Sequence, residues 1–407
     1  MRVFNITDSW SEETALLCAQ VRPDGAADTP MEVWFRFEGL DGPLEATADP
    51  FAAAMLPSCM YDAEPLEIEG HISDILADNF TFAQDVLSSW YDFLTLVPVA
   101  SQWHDDLRPT VRASGVACCF SGGVDSWYSL LKHRGRITHL FLVRGFDIGL
   151  DNDALWQSTK SDAAAIAHRL GKRLITCETN LRQIADRGRA NWGQPFAGDF
   201  WGRVLHGAAL TSCALALQRT IGELIVPATH ATRQLKPWGS SPHLDAHWSN
   251  GAVDVTHDGC EAERLEKVRN IASFDLALQT LRVCHHDTAQ ANCGQCEKCV
   301  RTMLQLHLCN ALARAGAFRG HDPFRKLNRL EVPEHLVHHY RSLLHEAYRV
   351  DDRQVFRAVE TIMGHRFSVE RTLAKAVRRA RRLGTSPRQP ERKPARNAET
   401  AQPPLQP

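Results

Sequence analysis

Short apolar runs alternate with amphipathic stretches through the middle of the chain. Four runs have the length and composition of buried strands: 116–120, 137–143, 173–177 and 223–228. Three stretches between them have helical spacing of their apolar residues: 127–133, 153–170 and 202–217. Strands that alternate with helices indicate an α/β protein with a parallel, doubly wound sheet. Ligands bind such a sheet beyond the carboxyl ends of its strands.

The alternation of strand and helix patterns changes on both sides of this region, which predicts that the chain has four parts. Residues 1–110 mix strand patterns (32–38, 66–70) with helical ones (49–55, 82–91), which predicts a small accessory α+β domain. Residues 111–305 form the α/β domain, and 306–383 a mostly helical C-terminal region. Residues 384–407 hold few large apolar side chains, so we expect a disordered tail.

Composition narrows the classes of function. The 407 residues are 44% hydrophobic and 23% charged, and the formal net charge of −2 favours neither nucleic acid nor an anionic membrane. No run of 18 apolar residues and no apolar signal core is present, so we expect a cytoplasmic protein without a membrane partner. Twelve cysteines are then better interpreted as thiols or metal ligands than as disulfides.

The first predicted strand leads directly into a glycine-rich loop, Ser121-Gly122-Gly123-Val124-Asp125-Ser126. Two glycines let the backbone turn tightly and approach a ligand. Backbone N–H groups, two hydroxyls and a helix N-terminus would converge there on one anion. No lysine follows the glycines, so this is not a Walker A loop. An acid beside a bound anion is otherwise unfavourable, so Asp125 favours a bridging cation at the loop.

Four cysteines cluster within sixteen residues: Cys284, Cys293, Cys296 and Cys299. Two-residue spacers let thiolates reach one tetrahedral ion, which predicts a closed structural Zn²⁺ site. An iron–sulfur cluster also takes four thiolates and is the main alternative, with a redox dithiol third. His285 or His286 could replace one ligand.

The loop resembles that of the PP-loop ATP pyrophosphatases, and the loop together with the cysteines resembles the 7-cyano-7-deazaguanine synthase family over about residues 114–305. The resemblance implies a Rossmann-like fold of the PP-loop (HUP) type and a ligase that forms C–N bonds. ATP would adenylate a small acceptor with a carboxylate or similar group, and ammonia or an amine would then attack. The family's Asp-Tyr-Ser-Gly-Tyr-Pro-Asp-Cys-Arg substrate segment has no counterpart here, so the acceptor is left open.

The resemblance also implies roles for individual residues. The loop would bind the polyphosphate of ATP through Ser121, Gly122, Gly123, Val124, Asp125 and Ser126, and Val143 and Phe146 would pack against adenine. Asp125 and Ser126 would take part in catalysis, with Asp125 beside a Mg²⁺ ion that accompanies ATP. Arg203, on one helix face with His206, could stabilise negative charge as pyrophosphate leaves.

Other polar residues are weaker candidates. A polar loop after the fourth strand, including Thr229 and His230, falls where substrate contacts are common. Lys267 lies in a charge-alternating run that is typical of a solvated helix face. Lys298 and Arg301 follow the cysteines, but the sequence does not give their direction.

Two further functions stay open at this point. A tRNA-thiolation enzyme also uses a PP-loop and cysteines, and the basic stretch 371–382 could grip phosphates, although tRNA is not the favoured partner. The other is a non-catalytic nucleotide-binding zinc protein. Homo-oligomerisation is likewise undecided.

Overall fold

The computed structural model describes residues 1–24, 30–101, 112–186, 199–284, 292–325, 327 and 330–364. Within these residues one ten-stranded sheet runs through the molecule, in the order β10-β9-β6-β7-β8-β3-β2-β1-β4-β5. The strands are β1 Arg2–Trp10, β2 Thr14–Arg22, β3 Met31–Glu38, β4 Leu66–Ile68, β5 Val99–Ser101, β6 Gly115–Cys119, β7 His139–Arg144, β8 Arg173–Thr179, β9 Ile221–Pro227 and β10 Asp254–Asp258.

Helices pack around the sheet and extend beyond it. They are α1 Asp49–Asp62, α2 Asp74–Trp90, α3 Val124–Lys132, α4 Asp153–Arg169, α5 Leu181–Asp186, α6 His206–Leu215, α7 Arg264–Ile271, α8 Asp275–Thr280, α9 Glu297–Leu308 and α10 Val337–Arg349. Residues 353–364 are also helical. None of the helices in the described segments has the length and apolar character needed to cross a bilayer.

The strands β10, β9, β6, β7 and β8 are mutually parallel, which confirms the predicted α/β class. Alternate side chains of β6 enter different cores, as a strand covered on both faces requires: Ala117 packs with α1 and α6, and Cys118 with α3 and α7. The carboxyl ends of these strands therefore share one edge, and the loop 121–126 lies there.

The N-terminal strands continue the same sheet. Strand β3 pairs antiparallel with β8, joining Phe35 to Thr179, and β2 and β1 follow in antiparallel order. The sequence pattern identified β3 and β4 but missed the β1–β2 hairpin, β5 and the edge strand β10. The division into domains stays a prediction.

Of two predicted helices, one ends as predicted and the other differs in detail. Gly171, with φ of +62°, follows α4 as the predicted C-terminal glycine. The predicted helix over 202–217 instead begins with a π-helical turn, Trp201–Leu205, and continues as α6. The basic stretch 371–382, the tail 384–407 and the pair His285–His286 lie outside the described residues.

Candidate functional site

The glycine-rich loop lies at the carboxyl end of β6, and α3 begins inside it at Val124. Gly122 adopts φ of +74°, a conformation that glycine reaches without strain. The backbone N–H of Arg282 donates to the Gly122 carbonyl at 2.8 Å, and the Ser126 hydroxyl donates to the Gly123 carbonyl at 3.0 Å. These bonds hold the turn against the rest of the site.

Two cavities meet at this loop. One has a volume of about 850 Å³ and the other about 210 Å³. Five residues line both: Ser121, Asp125, Asp147, Thr229 and Arg282. A ligand seated on the loop can therefore extend into both spaces.

Ten of the seventeen residues that line the smaller cavity are apolar. Val143 and Phe146 line it together with Phe141 and Leu142, so the structure brings the two residues expected near adenine next to the loop. Gly145 forms the turn between them with φ of +99°, and a Cβ there would lie 1.9 Å from the Thr179 carbonyl oxygen. Only glycine fits this turn, which sets the direction of Phe146.

The larger cavity has more cationic than anionic side chains, although four carboxylates also line it: Asp125, Asp147, Glu297 and Glu331. Its walls carry six basic side chains: Arg182, Lys236, Arg264, Arg282, Lys298 and Arg301. Arg301 is buried and makes a bidentate pair with Glu297, at 2.7 and 3.1 Å. Lys298 forms no ion pair with the described residues, and burial together with Arg264 lowers its pKa. Such a wall favours anionic ligands.

Asp125 is held by two cations. Its Oδ1 accepts from Lys267 Nζ at 3.0 Å, and its Oδ2 accepts from Arg264 at 3.3 Å. The interpretation of Lys267 as part of a solvated face is wrong, because its side chain is buried and also donates to the Ala228 carbonyl. Burial and the nearby Arg301 lower the pKa of Arg264 to about 10, and the Nε atom of Arg264 has no partner among the described residues.

Arg203 lies elsewhere. It belongs to the π-helical turn, and its guanidinium carbon lies 4.7 Å from the centre of the Tyr91 ring. It is not among the residues that line either cavity, whereas its neighbour His206 lines the smaller one. The structure thus brings Asp125, Ser126, Val143 and Phe146 together but not Arg203.

The four cysteines form one compact group whose sulfur atoms all lie within 4.8 Å of one another. Cys284 Sγ and Cys296 Sγ are 3.8 Å apart, and Cys293 Sγ and Cys299 Sγ are 3.9 Å apart. A tetrahedral Zn²⁺ with bonds of about 2.3 Å requires sulfur separations of about 3.8 Å. The cluster could therefore hold zinc. A multi-iron cluster is a poorer fit, because it distributes its thiolates over different irons.

Asn292 joins the cysteine-bearing segment 292–299, called the knuckle below, to the core. Sequence reasoning missed this role. Its side-chain oxygen accepts from the backbone of Val283 and Cys284, at 2.9 and 3.3 Å. Its side-chain nitrogen donates to the carbonyls of Leu281 and Ala317, at 2.7 and 3.1 Å. All four bonds are buried or partly buried, so the knuckle is fixed even before a metal is considered.

The knuckle also shapes the larger cavity. Cys296 is the residue before α9, whose first turns carry Glu297, Lys298 and Arg301 into the cavity wall, and Cys284 itself lines that wall. A hydrogen bond from Cys299 is the main reason that the pKa of the Cys296 thiol is lowered, which favours the thiolate that a metal needs. A metal here would brace the cationic wall.

A buried pair lies close to the smaller cavity. His257 Nδ1 and Asp245 Oδ2 are 2.7 Å apart, and the Ser240 hydroxyl donates to the same carboxylate at 2.8 Å. Burial alone would lower the pKa of His257, but hydrogen bonds with Asp245 and Cys260 raise it to about 9. His257 is therefore protonated at neutral pH.

Comparison with protein-family models, with curated proteins and with solved structures finds no match to this chain.

Proposed function

We propose that this protein is an ATP-dependent ligase of the PP-loop type, which transfers AMP to an acceptor and releases pyrophosphate. The observation that carries the proposal is the position of the 121–126 loop, at the carboxyl edge of the parallel strands and at the junction of two cavities. One cavity has the apolar lining that a nucleobase needs, and the other has the cations that a polyphosphate needs.

In this proposal the smaller cavity takes adenine between Val143 and Phe146, and the loop takes the phosphates. The backbone N–H groups at the start of α3 would face them. Arg264, Lys267 and Arg282 stand beside the loop and would offset the charge that develops on the leaving pyrophosphate.

The acceptor would occupy the rest of the larger cavity, where Lys298 supplies a cation without an ionic partner among the described residues. A carboxylate seated there would attack the α-phosphorus. Its adenylate would then react with ammonia or an amine. The protein's contribution is to bring the reactants together and to neutralise their charges.

Two metals belong to the proposal. Asp125 would contact a Mg²⁺ that accompanies ATP, and such an ion shields the phosphates from one another. Asp125 reaches into the cavity mouth, but it also has two cationic partners that the ion would have to displace or share. Cys284, Cys293, Cys296 and Cys299 would hold Zn²⁺ as a structural ion.

The test is turnover of α-labelled ATP with a panel of carboxylic acids, with ammonia present. We expect AMP and pyrophosphate with at least one acid, and loss of AMP formation in Asp125→Asn. Asp85→Asn, an exposed change on α2, is the matched control and should leave the rate unchanged. ADP as the product, or ATP binding without turnover with any acid, would refute the ligase and favour a non-catalytic nucleotide-binding protein.

A further inference from the structure

His230 has a position that the proposed function does not yet use. It follows β9 by three residues and lines the larger cavity together with Ser121, Gly123 and Asp125. Its ring contacts Trp238, with centroids 6.0 Å apart, and it makes no hydrogen bond to the described residues. Its imidazole is therefore half-buried, faces the loop and is available to a ligand.

The charged groups around His230 come from four different elements. Lys236 belongs to the same loop, His338 to α10, Asp125 to α3 and Lys267 to α7. Asp125 alone favours a proton on the ring, whereas the two lysines and His338 oppose it. Burial is the largest cause, and together these effects lower the pKa of His230 to about 4. In the cavity without an anion, His230 is neutral.

A polyphosphate reverses this balance. Several negative charges beside the loop would offset Lys236 and Lys267 and would favour a proton on the His230 ring, which lines the same cavity as the loop, as His335, His338 and His339 also do. The cations of the wall cannot change their charge at neutral pH, but an imidazole can.

We propose that His230 is the proton carrier of this cavity: it is neutral until a polyphosphate enters, then takes a proton from solvent and donates a hydrogen bond to the leaving pyrophosphate. As the acceptor oxygen bonds to the α-phosphorus, the bond from that phosphorus to the bridging oxygen breaks. Its electron pair stays on pyrophosphate, where the imidazolium N–H stabilises it. The role of His230 in catalysis depends on the proposed function, but the proton uptake requires only that a polyphosphate binds.

Calorimetry measures the uptake directly. A non-hydrolysable ATP analogue with Mg²⁺ is titrated into the full chain at about pH 6.5, in two buffers that differ in ionisation enthalpy. We expect the wild-type protein to take up about half a proton or more beyond the amount taken up by His230→Asn. His345→Asn, an exposed change on α10 away from the cavity, should match the wild type.

Inorganic pyrophosphate serves as a second probe, so that the two proposals can fail separately. Equal proton uptake by the wild type and His230→Asn, with binding intact in both, overturns the proton carrier and leaves the nucleotide site standing. Uptake with pyrophosphate but no binding of the ATP analogue supports the carrier and refutes the ATP site. Binding of neither anion overturns both. Melting temperatures of the variants show whether they are folded.

Discussion

The buried pair of His257 and Asp245 gives the folded protein a measurable dependence on pH. The His257 side chain is 6% exposed and the Asp245 side chain is fully buried. The informative change is Asp245→Asn, because it keeps the shape and a hydrogen-bonding side chain but removes the charge that holds the proton on His257.

The magnitude follows from the pKa of His257, which rises from about 6.5 in the unfolded chain to about 9 in the folded one. A change of about 2.5 units corresponds to about 3 kcal/mol. Because the folded value is the higher one, this contribution is fully present below about pH 6.5 and is lost as the pH rises through about 9. Cys260 is a second partner of His257, so only the difference between the two proteins is diagnostic.

The assay is urea unfolding of the full chain across this pH range, for the wild type and for Asp245→Asn. Between about pH 6 and pH 9 the wild-type free energy of unfolding should fall by about 3 kcal/mol more than that of the variant. Exposed Asp85→Asn controls for the loss of one carboxylate and should follow the wild type. Parallel pH profiles for the wild type and Asp245→Asn would refute the ionic pair.

Three further changes test the site. Lys267→Met removes the donor to Asp125 and to the Ala228 carbonyl and should lower the free energy of unfolding by about 1–3 kcal/mol, measured by urea unfolding; an unchanged midpoint would contradict the buried contact. Cys296→Ser should lose the bound metal by elemental analysis and lower the melting temperature, and the four-thiolate site is rejected if both stay at wild-type values. Gly145→Ala places a Cβ 1.9 Å from the Thr179 oxygen at a positive φ. We therefore expect the free energy of unfolding to fall by about 2 kcal/mol or more and nucleotide binding to weaken. Wild-type affinity would show that this turn does not set the shape of the smaller cavity.

The parts of the site that the sequence predicts are those encoded by contiguous residues. A strand, two glycines and a helix start within a few residues of one another specify the 121–126 loop. The spacing of the cysteines likewise specifies their grouping, because Cys293, Cys296 and Cys299 are joined by short turns. Val143 and Phe146 were also identified, since they end the neighbouring parallel strand and therefore meet the loop at the same edge.

The remaining parts depend on contacts between distant segments. Charge alternation indicates that α7 is exposed, yet α7 packs against α3 and its Lys267 is buried against Asp125, 142 residues away. Similarly, nothing local shows that His338 and its neighbours return to the loop after α9. The position expected for Arg203 differs from the observed one for a local reason. Its helical spacing from His206 is correct, but the π-helical turn directs its side chain toward Tyr91.

The N-terminal segment bears on how the site is built, although none of its described residues (1–24 and 30–101) lines either cavity. Helix α1 is buried in the same core as α6, and α6 begins with His206 in the wall of the smaller cavity. Buried Asp49 accepts hydrogen bonds from Ser73 and from Asn250 near β10, which ties the two ends of the sheet together. Removing this segment would expose one face of α6 and would leave Asn250 with Gln218 but without its Asp49 acceptor. We therefore expect truncation to reduce activity because the smaller cavity loses the support of α1, without any chemistry being carried by the N-terminal residues.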